Sequence, residues 1–217
     1  MQFSDFVNQR VILPSANIAN QNPRVKSPDY IMSPKKTYID PTAIVEEGAV
    51  VGQGTSIWNW TKVRHGAQIG KNCVIGQGVH IDFDISIGEG CKIQNGAQIY
   101  HGATLKDYVF VGPNVTFTND LYPRADNDNW DLLQTTVEEH ASIGAASTIL
   151  CGIVIGRYAL VAASAVVTDN VPPHALVLGQ PAQIVDYVNI YGTPLNHDMS
   201  GPPPSENLLL ASDEKIS

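Results

Sequence analysis

The chain has 217 residues, of which 43% are hydrophobic and 16% charged, with a net charge of −8 and a pI near 5.1. This composition is typical of a folded globular protein, and the excess of acidic residues argues against nucleic acid or an anionic membrane as a partner. We expect a cytoplasmic protein, because the start does not resemble a signal peptide, no apolar run could span a bilayer, and the three cysteines show no CxxC spacing.

Residues 1–38 contain Pro14, Pro23, Pro28 and Pro34 and no periodic pattern. Proline is a poor residue for the interior of a helix or a central strand. We interpret this segment as a short cap over one end of the following domain, together with a linker.

From residue 39 onward, every sixth residue is apolar and most are β-branched. The positions are Ile39, Val45, Val51, Ile57, Val63, Ile69, Ile75, Ile81, Ile87, Ile93, Ile99, Leu105, Val111 and Phe117, and then Val137, Ile143, Ile149, Ile155, Val161 and Val167. A period of six fits neither an amphipathic helix nor a simple alternating strand, and it is typical of a hexapeptide β-helix. The pattern predicts an all-β domain over 39–190, a parallel β-helix with these side chains pointing inward.

The repeat is interrupted once, because Val137 follows Phe117 by twenty positions, which is not a multiple of six. Residues 118–136 must therefore leave the β-helix as an excursion loop. Long loops without secondary structure in a compact domain are usually functional. The alternative is an insertion without a function. Residues 191–217 are rich in Pro, Ser and Asp, and we predict a mobile C-terminal extension there.

Two segments resemble one family of enzymes. VAASAVVTDNVPPHALVLGQPAQIV (161–185) resembles the ending of hexapeptide acyltransferases, and KIQNGAQIYHGATLKDYVFVGPNVTFTNDLYPRA (92–125) resembles N-acetyltransferases of nucleotide-linked 3-amino-3-deoxy sugars. Asn95-Gly96 and Asn119-Asp120 favour the branch that acts on dTDP-linked 3-amino-3,6-dideoxyhexoses. Ile93-Gln94 favours the branch that acts on UDP-linked 2-acetamido-3-amino-glucuronate.

The resemblance implies a left-handed β-helix with three hexads in each coil, so that residues eighteen apart stack. One predicted column then holds Glu47, His65, Phe83, His101 and Asn119, another holds Asn59, Gln77, Asn95 and Pro113, and Cys73 and Cys91 become neighbours. It further implies an acetyl-CoA-dependent acetyltransferase of bacterial O-antigen synthesis, without a metal, that forms homotrimers with active sites between subunits.

The resemblance also implies roles for individual residues. Asn95 would contact the substrate near its amine, and His101 is the candidate base, although this group of enzymes is expected to transfer the proton without a side-chain base. The remaining substrate-binding candidates are His65, Asn119, Asp120, Tyr122 and Arg124, and the CoA-binding candidates are Gly144, Ala145, Ala162, Ala163, Arg157, Gln180 and Pro181.

Other functions are compatible with the same repeat. The acceptor could be a 4-amino sugar, another amino-sugar isomer or a serine-like molecule. His65 and His101 lie two coils apart, as in zinc-dependent β-helix carbonic anhydrases, but position 106 holds Lys where a third His is expected. A non-enzymatic scaffold would explain the repeat but neither the loop nor the Gly179-Gln180-Pro181-Ala182 ending.

Overall fold

The structure of the protein is a computed structural model that describes residues 36–127 and 130–210. The predicted N-terminal cap therefore lies almost entirely outside the described residues. No helix in the described part of the chain is long and apolar enough to cross a bilayer.

Each hexad forms one short strand and one corner, and successive strands belong to three different faces of a β-helix. Face 1 contains Tyr38–Ile39 (β1), Ser56–Ile57 (β4), Val74–Ile75 (β7), Lys92–Ile93 (β10), Phe110–Val111 (β13), Ser142–Ile143 (β16), Leu160–Val161 (β19), Ala175–Gly179 (β21) and Ala182–Tyr187 (β22). Face 2 contains Ile44–Val45 (β2), Lys62–Val63 (β5), His80–Ile81 (β8), Gln98–Ile99 (β11), Thr116–Phe117 (β14), Thr148–Ile149 (β17) and Val166–Val167 (β20). Face 3 contains Val50–Val51 (β3), Gln68–Ile69 (β6), Ser86–Ile87 (β9), Ala103–Leu105 (β12), Thr135–Val137 (β15) and Val154–Ile155 (β18).

Strands within a face are parallel, apart from the antiparallel hairpin of β21 and β22, and before the loop each residue pairs with one eighteen positions away, as Lys92 does with Phe110. The second residue of each two-residue strand points inward, and Ile57, Ile75 and Ile93 are fully buried there. Burying such a side chain contributes about 1.5–3 kcal/mol relative to leaving it exposed. The predicted all-β parallel β-helix of hexapeptide repeats is confirmed.

Two features of the coils follow from this stacking, and the resemblance implied the first of them, which makes Cys73 and Cys91 neighbours. Cys73 and Cys91 are buried free thiols at equivalent positions of adjacent coils, and each donates to a backbone oxygen at 3.1 Å. Glycine at the corner after face 3 lets coils approach, because a Cβ on Gly52 would lie 2.4 Å from the backbone of Gly70. Real Cβ contacts are never that short, so glycine is required there.

The excursion loop leaves the β-helix after Phe117, whose side chain is fully buried. The chain re-enters at Thr135, so the loop spans 118–134 and is slightly shorter than the predicted 118–136. The reason is that Thr135 and Thr136 already pair with Ala103 and Thr104 on face 3. Pairs that span the loop are thirty-two positions apart, as Phe117 and Ile149 are, and the next coil returns to eighteen, as Thr148 and Val166 show.

The C-terminal extension is in contact with the last coils over its described part. The backbone N–H groups of Asn196 and His197 donate to the carboxylate of Asp186, which is buried. A five-residue helix, Glu206–Leu210 (α1), follows, and Leu209 packs against the core. The mobility predicted for 191–217 stays a prediction, and residues 211–217 lie outside the described residues.

Candidate active site

The polar side chains singled out from the sequence lie on the corners between faces. We call the corner that contains residues 58–61 and their equivalents corner 1–2. Corner 2–3 contains residues 64–67, 82–85 and 100–102 and the start of the loop. Corner 3–1 contains residues 70–73 and 88–91 and, after the loop, 138–141 and 156–159.

Corner 2–3 is organised by a carboxylate that sequence reasoning missed. Asp82 is 6% exposed, and its Oδ1 atom accepts from Arg64 Nη1 at 2.8 Å and from the Phe83 N–H at 2.9 Å. Its Oδ2 atom accepts from the backbone N–H of His101 at 3.2 Å. Burial alone would raise the pKa of Asp82, but these donors outweigh it and lower that pKa. Asp82 is therefore a charged anchor beneath His101.

Three rings stack outward of this anchor, as the eighteen-residue column predicted. The ring centroids of His65 and Phe83 are 5.6 Å apart, and those of Phe83 and His101 are 4.1 Å apart. The Nδ1 atom of His101 lies 2.9 Å from the backbone oxygen of Phe83. A carbonyl oxygen can only accept, so Nδ1 carries the hydrogen and Nε2 of the neutral ring has a free lone pair.

His65 lies two coils before His101 in the same column, beside the carboxylate of Glu46. Its backbone N–H donates to Glu46 Oε2 at 2.9 Å, and its Nδ1 lies 3.3 Å from the same oxygen. The backbone N–H of His65 is the main cause that lowers the pKa of Glu46 to about 2, with the His65 ring and Lys62 adding to it. Nδ1 of His65 is thus bonded as Nδ1 of His101 is, but its partner is a carboxylate and not a backbone oxygen.

The excursion loop begins directly above His101. Asn119 is half-buried at the predicted position in this column, and the preceding Thr118 Oγ1 accepts from the N–H of Cys151 at 3.0 Å. Further out, Asp120 Oδ1 accepts from the N–H of Tyr122 at 2.8 Å, and the side chain of Tyr122 is 76% exposed. Arg124 is exposed as well. Asn119 therefore continues the column of His65 and His101, whereas the hydrogen bonds of Asp120 and Arg124 stay within the loop.

The returning end of the loop closes over the same corner. A Cβ placed on Gly102 would lie 3.0 Å from the side chain of Leu132, and one on Gly152 would lie 3.3 Å from that of Leu133. Gly102 follows His101 in the chain. The loop is thus packed against the coil that carries His101 rather than projecting away from it.

Asn95 lies on corner 1–2, separated from His101 by the width of face 2. Its Oδ1 atom accepts from the N–H of Gln77 at 3.0 Å. Asn95 also lines a cavity of about 330 Å³ with a tryptophan, Trp58, and other carboxamide side chains. The predicted column of Asn59, Gln77, Asn95 and Pro113 is confirmed.

Most of the predicted CoA-binding residues continue corner 1–2 beyond Asn95. The N–H of Ala146 donates to the oxygen of Pro113, and the N–H of Ser164 donates to that of Ala145, both at 2.8 Å. Among the described residues, no backbone carbonyl accepts from the N–H of Ala145 or Ala163. These two donors form an outward-facing ladder one coil apart.

The ladder is bounded by the hairpin of β21 and β22. Gln180 Nε2 donates to the backbone oxygen of Ser164 at 2.8 Å, which places Gln180 and Pro181 beside Ala163, with Gly144 and Ala162 adjacent in the column. Arg157 does not join this group. It lies on corner 3–1, with its guanidinium 5.3 Å from the ring centre of Tyr158.

No group of three His, Cys, Asp or Glu residues that could hold a metal ion occurs within residues 36–127 and 130–210. His65 and His101, the pair that resembles two zinc ligands, are separated by the ring of Phe83.

Asp82 could have been found from the sequence, because Glu46, Arg64 and Asp82 are eighteen residues apart and alternate in charge. Trp58, Gly76 and Gln94 have the same eighteen-residue spacing, but nothing in their residue types shows that a cavity lies between them before the coils have stacked.

Comparison with known proteins identifies the repeats. A family described as bacterial transferase hexapeptide (six repeats) matches residues 48–82 and 84–119, and one described as hexapeptide repeat of succinyl-transferase matches 66–101 and 134–169. The repeats over 48–119 and 134–169 are therefore similar to those of hexapeptide transferases. A solved structure with the same fold is LpxA from Bacteroides fragilis, a UDP-N-acetylglucosamine acyltransferase, with a TM-score of 0.59 and 16% identity, covering 70% of this chain and 62% of that one.

Two similar relatives are acetyltransferases by name. One is the dTDP-3-amino-3,6-dideoxy-alpha-D-galactopyranose 3-N-acetyltransferase of Aneurinibacillus thermoaerophilus, 51% identical over 55 residues, 25% of this chain and 29% of the relative. The other is serine acetyltransferase 2 of Arabidopsis thaliana, 35% identical over 147 residues, 68% of this chain and 31% of the relative. The chain thus spans about a third of the length of each.

Proposed function

We propose that the protein is an acetyl-CoA-dependent N-acetyltransferase that acetylates the 3-amino group of a nucleotide-linked 3-amino-3-deoxyhexose, with dTDP as the favoured nucleotide. The observation that carries the proposal is the His101 imidazole, fixed by its Nδ1–H bond to Phe83 so that Nε2 is a free acceptor beside the excursion loop. The name of the relative from Aneurinibacillus thermoaerophilus supports the choice of acceptor.

The reaction needs few groups from the protein. The amine nitrogen attacks the thioester carbonyl carbon, the N–C bond forms, and collapse of the tetrahedral intermediate breaks the C–S bond. The amine must lose one proton and the CoA sulfur must gain one. In our proposal Nε2 of His101 takes the proton from the attacking amine and returns it to the departing sulfur. Direct transfer of the proton from amine to sulfur is the competing mechanism.

Corner 1–2 is suited to hold acetyl-CoA. The pantetheine arm contains amide groups, which pair with backbone donors such as the N–H groups of Ala145 and Ala163. A strip of small residues allows an extended ligand to lie against the backbone, and Gln180 and Pro181 would flank the far end of the cofactor. Arg157 is not part of this strip, so we assign it no contact with CoA bound there.

The separation of Asn95 from His101 by face 2 favours a homotrimer. If three copies surround a threefold axis with face 2 inward, corner 1–2 of each copy meets corner 2–3 of its neighbour, and the ring closes with three equivalent sites. Acetyl-CoA and Asn95 would then come from one subunit, and His101 and the loop from the next. Arg124, exposed on that loop, is the proposed partner of the diphosphate, because guanidinium binds phosphate oxygens in a fork.

A substrate panel tests the proposal. The protein is incubated with acetyl-CoA and dTDP- or UDP-linked 3-amino and 4-amino sugars while free thiol is followed. We expect thiol release with a 3-amino-3,6-dideoxyhexose and a product heavier by one acetyl group. Absence of thiol release with every 3-amino sugar would contradict the proposal. A rate that is highest with a 4-amino sugar would show that the acceptor is a 4-amino sugar and not a 3-amino sugar.

A further inference from the structure

The cavity of about 330 Å³ at corner 1–2 is built from the sequence in a simple way. Trp58, Gly76 and Gln94 occupy the same position in three successive coils, and Gly76 contributes no side chain. A Cβ at Gly76 would lie 2.6 Å from Asn95 Oδ1 and 2.9 Å from the Gln94 backbone, so glycine is required there. Coils repeat at about 4.8 Å, which leaves a slot of roughly 10 Å between the indole and the Gln94 amide.

The lining has one aromatic ring, several carboxamides and no ionisable group. It consists of Trp58, Asn59, Val74, Gly76, Gln77, Gln94 and Asn95. The nearest cation along the strands is Lys92, which pairs with Val74 and is exposed on face 1 outside the lining. A charged group placed in such a cavity would lose hydration without gaining a counter-ion.

The polar groups of the lining are suited to bind a neutral, hydroxylated ring. Asn95 Oδ1 is already bonded to Gln77, so Asn95 offers its amide N–H donors outward. Carboxamides both donate and accept, which matches hydroxyl and amine groups, and an aromatic face packs against the C–H face of a sugar. The volume lies at the lower limit of ligand cavities, about 300–1,000 Å³, so the cavity holds one ring rather than a whole nucleotide sugar.

Resting on the proposed function, we infer that this cavity holds the hexose ring of the acceptor, with Trp58 against the ring and Gln94 at its edge, and that its neutral lining restricts the enzyme to hexoses uncharged at C6. A 3-amino-hexuronate is rejected because its carboxylate finds no cation in the cavity lining, while in the proposed trimer the neighbour's Arg64 is bonded to Asp82 and its Arg124 is assigned to the diphosphate. Trp58 and Gln94 are therefore specificity-determining residues. The cavity and the strip of Ala145 and Ala163 lie on the same corner with the coil of Pro113 between them, so Asn95 is on the side of the cavity that faces the strip.

The first experiment compares two acceptors that share one nucleotide, a UDP-linked 3-amino-3,6-dideoxyhexose and a UDP-linked 3-amino-hexuronate. We expect kcat/KM to favour the neutral sugar by at least about a hundredfold, the discrimination available when a buried group is left unpaired. Gln94→Arg supplies the missing cation and should shift the ratio toward the uronate by at least about tenfold. Equal use of both sugars by the unsubstituted protein would overturn the inference.

The second experiment isolates the tryptophan. Trp58→Ala should raise KM for the acceptor about tenfold and leave KM for acetyl-CoA unchanged, while Trp58→Phe retains most of the affinity. Trp60→Ala is the matched control, because Trp60 is 66% exposed and does not line the cavity. Equal effects of Trp58→Ala and Trp60→Ala would contradict the assignment. Thermal unfolding of each variant separates loss of binding from loss of folding.

The inference can fail separately from the proposed function. If no 3-amino sugar releases thiol, the proposed function has failed, and the cavity is then tested by saturation-transfer NMR with UDP-glucose and UDP-glucuronate. Sugar-ring contacts from UDP-glucose alone, lost in Trp58→Ala, would support the cavity as a neutral-hexose site. Equal contacts from both ligands, or from neither, would overturn it.

Discussion

Corners 1–2 and 2–3 are built from the same six-residue repeat and yet present opposite chemistry. Corner 2–3 carries Glu46, Arg64, Asp82 and two histidines, whereas the cavity on corner 1–2 is lined by amides, an indole and backbone groups. The repeat dictates the inward residues and leaves the corner residues free to vary. One scaffold therefore provides an ionisable edge suited to proton transfer and a neutral edge suited to holding substrates.

The most severe test of this division replaces the proposed base. His101→Ala should lower kcat by about 10²–10⁴, the usual contribution of general base catalysis, with KM for acetyl-CoA unchanged. His65→Ala is the comparison, because His65 lies two coils away in the same column, on the far side of the Phe83 ring. Steady-state kinetics under matched conditions decide the point. Near-normal turnover of His101→Ala would assign the proton transfer to the CoA sulfur and leave corner 2–3 with a binding role.

A second substitution asks whether the anchor beneath His101 is needed. Asp82→Asn weakens the hydrogen bond from Arg64 and the hydrogen bonds from the backbone N–H groups of Phe83 and His101. Charged hydrogen bonds of this kind contribute about 1.5–3 kcal/mol each. We expect lower kcat, unchanged KM for acetyl-CoA and a lower urea midpoint. Asp84→Asn is the control, because Asp84 is exposed on the same coil. A kcat loss no greater than that of the control would exclude a positioning role for Asp82.

A smaller effect is expected on corner 1–2. Gln180→Ala removes the hydrogen bond to Ser164 that fixes the hairpin beside the Ala145–Ala163 strip, so KM for acetyl-CoA should rise several-fold, matching about 1 kcal/mol, with kcat little changed. Gln183→Ala is a suitable control, because Gln183 is exposed and its amide bonds only to the adjacent Ala182. Equal KM values for the two variants would contradict the proposal that acetyl-CoA binds at this part of corner 1–2.

The two corners should also differ in pH dependence. The folded pKa of Glu46 is lowered to about 2, so the stabilisation that it provides is present above the unfolded value near 4.3 and is lost as the pH falls from about 4.3 towards 2. In Glu46→Gln, the free energy of unfolding measured with urea should therefore fall less steeply as the pH decreases from about 4.3 towards 2. Binding of UDP-glucose to the neutral cavity should not change over this range while the protein remains folded. An acid limb unaltered by Glu46→Gln would contradict the assignment.

Several site residues could be placed from the sequence because their neighbours are a fixed distance away in the chain. The stack of His65, Phe83 and His101 and the column of Asn59, Gln77 and Asn95 follow from the eighteen-residue coil. Across the loop the spacing is thirty-two, so the neighbour of Ala145 on the preceding coil depends on how long a loop the chain inserts, whereas its neighbour Ala163 on the next coil is again eighteen residues away. The grouping of Arg157 with the other CoA candidates was not supported, because motif position does not say which corner a residue occupies.

The sequence by itself determined the coil, since a β-branched residue at every sixth position can be buried only if the chain turns at each hexad. It also determined where the loop leaves, because the period breaks after Phe117. Only the tertiary structure decided which polar residues share a corner, the direction of the His101 hydrogen bond, and the slot that Gly76 leaves between Trp58 and Gln94. These features depend on contacts between adjacent coils, and a contact between residues far apart in the chain exists only once the coils have stacked.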